Sequence, residues 1–213
     1  MRRPLGAAFI ILTLSAASLL LAPTRSTSQG GGGQVTVTPT SEKVIDWSAA
    51  GGGVEESLQP GESIVTSGSR GHTGFVHTSH RLLGFSGGLR QWRDVRLGVE
   101  ERVGRYQLQP FLIVAHTNQQ VLGFQETRGH WTSMALGPNE TVSQLRGLGH
   151  VAVAITNERA LGFSTYTGGF FDIAWTPQER VLSIDGGQNA MVVRTSTRTV
   201  IFKSQSNGWT EVR

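Results

Sequence analysis

The chain has no cysteine. That excludes disulfide staples and a lipid-bearing cysteine of the lipoprotein type. It does not argue against export, since a repeat fold of this size builds a core without staples. An excess of charge is missing too. Residues 1–28 hold Arg2, Arg3 and Arg25 and no acid, and the remainder balances 16 basic against 15 acidic residues. That near-neutrality gives no electrostatic case for nucleic acid. The sequence pI of 10.3 reflects bases that are nearly all arginine, so little titrates between neutral and strongly alkaline pH. The charge is uneven: residues 60–98 carry a net +3 and residues 29–59 a net −3, segments that can neutralise each other. A Gly-x-Ser-x-Gly elbow, a phosphate loop and an Asp-rich calcium loop are all lacking. So is any apolar period of 3.6 residues, which leaves no signal for helices.

The ends of the chain read differently from its body. Arg2 and Arg3 precede an apolar run from Leu5 to Ala22, the pattern of a secretory signal peptide over residues 1–28. At 18 residues the run also approaches the roughly 20 that span a bilayer, so an uncleaved N-terminal anchor is the alternative. Gly30 to Gly33 form a tether, and Gly51 to Gly53 a second loose point, within a segment 29–59 that also holds candidate strands at Gln34–Thr38 and Val44–Trp47.

From residue 60 onward one sentence repeats every 39 residues. Leu83-Gly84-Phe85, Leu122-Gly123-Phe124 and Leu161-Gly162-Phe163 keep that spacing, and Val200-Ile201-Phe202 takes the fourth place. Trp92, Trp131, Phe170 and Trp209 share the period, as do Glu62, Glu101, Glu140 and Glu179, and Thr78, Thr117, Thr156 and Thr195. The units are 60–98, 99–137, 138–176 and 177–213. In the third, Glu140–Leu145, His150–Thr156, Arg159–Ser164 and Phe170–Trp175 are short runs of alternating or β-branched character, separated by Gly147-Leu148-Gly149, Asn157-Glu158 and Thr167-Gly168-Gly169. Short links between such runs predict antiparallel hairpins, four strands to a unit.

Four strands in a fixed period near 40 resemble the blade of a β-propeller. The Trp-Asp and Gly-His signature of WD40 blades is absent, and the resemblance rests on period and strand count. It implies an all-β fold of four four-stranded antiparallel blades round one axis over 60–213. Extra N-terminal strands would form a degenerate fifth blade or close the ring. A row of small meander sheets packed side by side is the rival arrangement.

Each recurring residue has a packing and a functional reading. Glycine inside a strand marks a bulge or a close approach, here by the next unit's aromatic or the indole of its own outer strand; the alternative is a ligand stacking on Phe85, Phe124 or Phe163. Leu83, Leu122, Leu161 and Ile201 are expected in the core with those phenylalanines. Trp92, Trp131, Phe170 and Trp209 either fill the wedge between blades or bind sugar on their ring faces; they are the candidate ligand-binding residues. Glu62, Glu101, Glu140 and Glu179 stand 19 residues before Arg81, Gln120, Arg159 and Arg198. Strands one and three of a meander start at the same end, so these groups should meet there as rim ion pairs worth about 0–1 kcal/mol each. Catalysis breaks symmetry, and these carboxylates obey it. His72, His77, His80 and His116 lack the convergence of a metal site.

The reading that follows is a secreted, periplasmic or cell-surface binding module without enzymatic activity, metal or cofactor. It would recognise an extracytoplasmic glycan or protein, with no nucleic acid, and touch a membrane only through an uncleaved N-terminal segment. The rivals are a membrane-anchored structural or assembly propeller, and a hydrolase or lyase acting in the central funnel.

Overall fold

A computed structural model describes residues 34–48 and 51–212. Among them there are strands and turns and no helix. Sheet I has three strands, β1 (Val35–Pro39), β2 (Lys43–Ser48) and β3 (Gly53–Ser57). Sheet II holds β4 (Ile64–Arg70), β5 (Thr73–Thr78), β6 (Arg81–Ser86) and β7 (Gln91–Arg96). Sheet III holds β8 (Val103–Leu108), β9 (Leu112–Thr117), β10 (Gln120–Gln125) and β11 (His130–Ala135). Sheet IV holds β12 (Val142–Leu148), β13 (Val151–Thr156), β14 (Arg159–Ser164) and β15 (Phe170–Ala174). Sheet V holds β16 (Val181–Gly187), β17 (Ala190–Thr195), β18 (Thr199–Lys203) and β19 (Trp209–Val212). Every sheet is an antiparallel meander in chain order.

The fold is all-β and of the propeller type, with a fifth, degenerate blade at the N-terminus. Sheet I keeps the 39-residue register of the others: β1, β2 and β3 occupy the second, third and fourth strand positions of the repeat. The positions for its first strand fall outside the described residues, as do the signal-peptide segment and Gly30 to Gly33. Each of the four full sheets carries a register shift early in its first strand, between Ile64 and Thr66, Val103 and Arg105, Val142 and Gln144, and Val181 and Ser183. Such a bulge bends the strand and increases its twist, and its recurrence makes it part of the repeat.

The core lies in the seams between sheets. Four apolar clusters are present. One joins sheets I and II through Val35, Val44, Val76 and Phe85. The next three join II to III, III to IV, and IV to V. Among the described residues no apolar cluster joins sheet V to sheet I. Closure by the N-terminal segment would involve positions outside the described residues.

The glycine of Leu-Gly-Phe explains how the seams are packed. A Cβ on Gly84 would lie 2.7 Å from the Phe124 ring, one on Gly123 2.5 Å from Phe163, and one on Gly162 2.6 Å from Phe202. Each phenylalanine therefore lies flat against the glycine of the preceding blade, closer than any side chain permits. This selects the next unit's aromatic from the two partners expected. Phe85, Phe124, Phe163 and Phe202 are fully buried, with Leu83, Leu122, Leu161 and Val200. Ile201, expected in the core, is only half-buried. It occupies the glycine position of sheet V, where no following phenylalanine arrives, and Val200 holds the leucine position.

Candidate functional site

The two ends of the blades differ in chemistry. At the end where first and third strands start, the repeated glutamates curl back over the sheet. Glu62 Oε2 accepts the Gln59 N–H at 2.7 Å, and Glu101, Glu140 and Glu179 accept from Gly98, Gly137 and Thr176 in the same way. The other oxygen accepts the hydroxyl of Thr78, Thr117, Thr156 or Thr195. Arginine completes the network in three blades. Arg159 Nε and Nη2 donate to Glu140 Oε1 and Oε2 at 2.8 and 2.9 Å, and Arg81 and Arg198 repeat the fork on Glu62 and Glu179. Nη2 also crosses the seam, donating to the carbonyl of Ser57, Ala135 or Ala174 on the preceding blade.

The expected meeting of Glu and Arg at one end thus occurs within the blade in sheets II, IV and V, as in Glu140 with Arg159. The expected rim character does not. The Glu62, Glu140 and Glu179 side chains are 0–1% exposed and those of Arg81, Arg159 and Arg198 5–20%. The physical reason is the loop before the first strand, whose backbone N–H folds over the carboxylate and shuts it from water. Burial alone would raise the Glu62 carboxyl. Arg81, the Gln59 N–H and Thr78 overcome that and hold it near a pKa of about 2, and Glu179 is held at about 2 by the equivalent set. Arg81 is raised in turn by Glu62 and Glu56 against the opposing effect of burial. These carboxylates are committed to structure.

Trp92, Trp131, Phe170 and Trp209 stand in the seams. The indole N–H of Trp92 donates to Val54 O at 3.1 Å, that of Trp131 to Arg93 O at 3.0 Å and that of Trp209 to Phe171 O at 2.9 Å, each on the preceding blade. Each ring also packs on the phenylalanine of its own blade, 5.0–5.2 Å between centroids. Trp92 is buried, while Trp131, Phe170 and Trp209 are half-buried. The histidines do not converge: among the described residues no group of three or more His, Asp or Glu side chains is placed to hold a metal. His116 instead packs on Gly104, where a Cβ would come within 2.4 Å of its ring.

At the opposite end lies a feature that the sequence reading missed. His72, Phe111 and His150 share the 39-residue period and sit at the turn between first and second strands. In the fold they line up across three blades. Phe111 stacks on His150 at 4.4 Å and 12°, His72 stacks on Phe111 at 6.1 Å and 19°, and Tyr166 from the β14–β15 turn leans on His150 at 4.9 Å. Cross-seam hydrogen bonds hold the turns in line, from His72 N to Pro110 O and from His150 N to Gln188 O. Gly71 and Gly149 make room at those contacts: both have positive φ, and a Cβ on either would come within 2.7 Å of the next turn. His72, Phe111 and His150 are half-buried and Tyr166 is 47% exposed. Burial lowers the His150 pKa, keeping its imidazole neutral with Nδ1 3.2 Å from Thr165 Oγ1. The period of this column was the available signal; the chemical dissimilarity of His, Phe and His hid it.

No protein-family description matches the sequence, and no curated protein does. Solved structures similar to the chain include Prp20p from Saccharomyces cerevisiae, studied for its binding to Gsp1p and histones, at 8% identity and a TM-score of 0.41 over 81% of this chain and 56% of that one. Hsv2p of Kluyveromyces lactis aligns at 10% identity and a TM-score of 0.40 over 84% and 59%. Residues 644–1017 of HIRA align at 14% identity and a TM-score of 0.41 over 79% and 51%. The chain therefore spans little more than half the length of each of these solved chains.

Proposed function

We propose that this is a non-enzymatic binding module, exported from the cytoplasm, that recognises a glycan or protein through the turn end of its blades. The observation that carries this reading is the row His72–Phe111–His150–Tyr166. It is a continuous, partly exposed ridge across three blades, in which apolar ring edges alternate with imidazole nitrogens and a phenol hydroxyl. Rings with a polar handle are what sugar C–H faces and protein hot spots both select. The non-enzymatic half of the reading is supported by the repeated carboxylates, all four bonded to a backbone N–H and a threonine hydroxyl and three of them also held by an arginine. Export is supported by Arg2, Arg3 and the apolar run that follows them.

The test is binding of the protein lacking residues 1–28 to a glycan array and to an extracytoplasmic protein extract, repeated with Phe111→Ala combined with Tyr166→Ala. Loss of binding with an unchanged melting temperature supports the turn-end row. Retained binding, lost instead on Trp131→Ala or Trp209→Ala, moves the site to the ring edges in the seams. Absence of any ligand in both screens removes the binding reading.

A further inference from the structure

The glutamate end of the blades breaks its own symmetry once. In sheets II, IV and V an arginine stands on the glutamate, and its Nη1 meets a second acid, Asp94, Asp172 or Glu211. In sheet III both members change: Gln120 takes the arginine position and Ser133 that of the acid. Glutamine and arginine share their first four side-chain positions, so Gln120 Nε2 falls where an arginine Nε would. It duly donates to Glu101 Oε1 at 2.9 Å, beside the Thr117 hydroxyl. What Gln120 lacks is the terminal amidinium, the part that in the other blades bonds the second glutamate oxygen and crosses the seam. Glu101 Oε2 accepts the Gly98 N–H at 2.7 Å, whereas Glu140 Oε2 accepts both the Gly137 N–H and Arg159 Nη2. The carbonyl across this seam, counterpart of Ser57, Ala135 and Ala174, is that of Arg96.

We infer that the seam between sheets II and III is a binding site for an external amidinium or guanidinium group, the arginine side chain of a partner polypeptide. The group would lie on Glu101 Oε2 and the Arg96 carbonyl, as the protein's own arginines do in the other three seams. Access is open: Ser133 and Arg96 are exposed, and a depression of about 500 Å³ is lined by Arg96, Glu100 and Glu101 together with Gln59, His80 and the largely buried Arg81. The loss of the second acid along with the arginine keeps the blade's charge balanced, yet it leaves Glu101 a carboxylate without a cation on it. Thr117, the Gly98 N–H and Gln120 nevertheless hold its pKa below the ordinary value, against the opposing effect of burial, so it is ionised at neutral pH. The planar fork fits because side-on pairing with a carboxylate is what guanidinium geometry favours, and lysine offers no second arm for the carbonyl. This site lies at the opposite end of the sheets from the aromatic row and stands whether or not that row binds.

N-acetyl-arginine amide and benzamidine are the probes, titrated into 15N-labelled protein. The expected dissociation constant is on the order of 1–10 mM, as for a single charge-assisted fork. Shifts should be confined to the Gly98 and Leu97 amides and the Gln120 side-chain NH2, with N-acetyl-lysine amide binding at least several-fold more weakly. Gln120→Arg with Ser133→Asp should supply the group internally, raise the melting temperature and abolish the shifts. Glu101→Gln should abolish them without the added stability. Absence of shifts in the parent protein, or shifts that survive Gln120→Arg, overturns the inference. Shifts that appear only in Arg96→Ala overturn it too, because the exposed Arg96 guanidinium would then be filling its own site.

Discussion

Asp46 gives the sharpest test of the physical reasoning. It stands in β2 at the position held by Phe85, Phe124, Phe163 and Phe202 in the other blades. It is fully buried, and neither carboxyl oxygen has a hydrogen-bond partner among the described residues. Gly74 and Val37 crowd it: a Cβ on Gly74 would lie 2.9 Å from Asp46 Oδ2. Burial raises its pKa to about 8. In the unfolded chain the carboxyl titrates near 3.9. Between those values the folded state holds a proton that the unfolded state has lost, so this group makes stability fall as pH rises, by about 1.4 kcal/mol per pH unit. From pH 5 to pH 8 the loss is about 4 kcal/mol, or about 8–16 °C in melting temperature for a domain of this size. Asp46→Asn keeps the shape of the protonated carboxyl and removes the titration. The two proteins should melt together near pH 5, and the variant should be the more stable at pH 8. His77 and His116, lowered chiefly by burial as His150 is, gain stability as pH rises through their ordinary value, which opposes Asp46 in either protein alone. The difference between variant and parent cancels them. Hydrogen exchange should place the alkaline loosening in β1–β3, since Asp46 lies in the middle strand of that sheet. An equal difference in melting temperature at pH 5 and pH 8 would refute the argument.

The buried Glu140–Arg159 pair should behave unlike a rim pair. Removing either partner should cost about 3–5 kcal/mol, and a double-mutant cycle followed by denaturant unfolding should show coupling above 1 kcal/mol with little salt dependence. Glu62 and Glu179 contribute stability that is present above their unfolded pKa near 4.3 and lost as pH falls toward about 2. The acid limb should thus hold about 3 kcal/mol from each, and Glu62→Gln should flatten its share in an acid titration by circular dichroism. Phe124→Ala should cost about 3–5 kcal/mol by cavity formation. Gly123→Ala, which drives a Cβ to 2.5 Å from Phe163, should cost at least about 1–3 kcal/mol in calorimetry, whereas Ile201→Gly meets no ring and should cost no more than the loss of a half-buried side chain. Trp131→Phe copies the natural Phe170 and loses one hydrogen bond to Arg93 O, a change of about 1 kcal/mol in melting analysis.

The period of 39 residues, the strand count and the meander order were all legible in the sequence, because hairpins are local and their turns are written in Gly, Asn and Ser beside alternating apolar runs. The same local logic placed Glu140 and Arg159 at one end, since strand direction alone requires it. Burial of that pair was not legible: it depends on a backbone N–H three residues away folding over the carboxylate, which spacing does not encode. Nor did the repeat decide whether Gly84 meets the next unit's aromatic, Phe124, or the indole of its own outer strand, because a seam joins residues 40 apart through the angle between sheets. The blade count was open for the same reason: a repeat specifies its neighbour contact, and only the fold shows that β1–β3 add a fifth sheet in the same register. The row His72–Phe111–His150 is the clearest division. Its period stands in the sequence, but only the stacking of turns across seams makes one ridge of a histidine, a phenylalanine and another histidine. The sequence determined the blade, because a blade is made of contacts between chain neighbours. The tertiary structure decided what the blades present at their ends, because those surfaces are assembled from residues a full repeat apart.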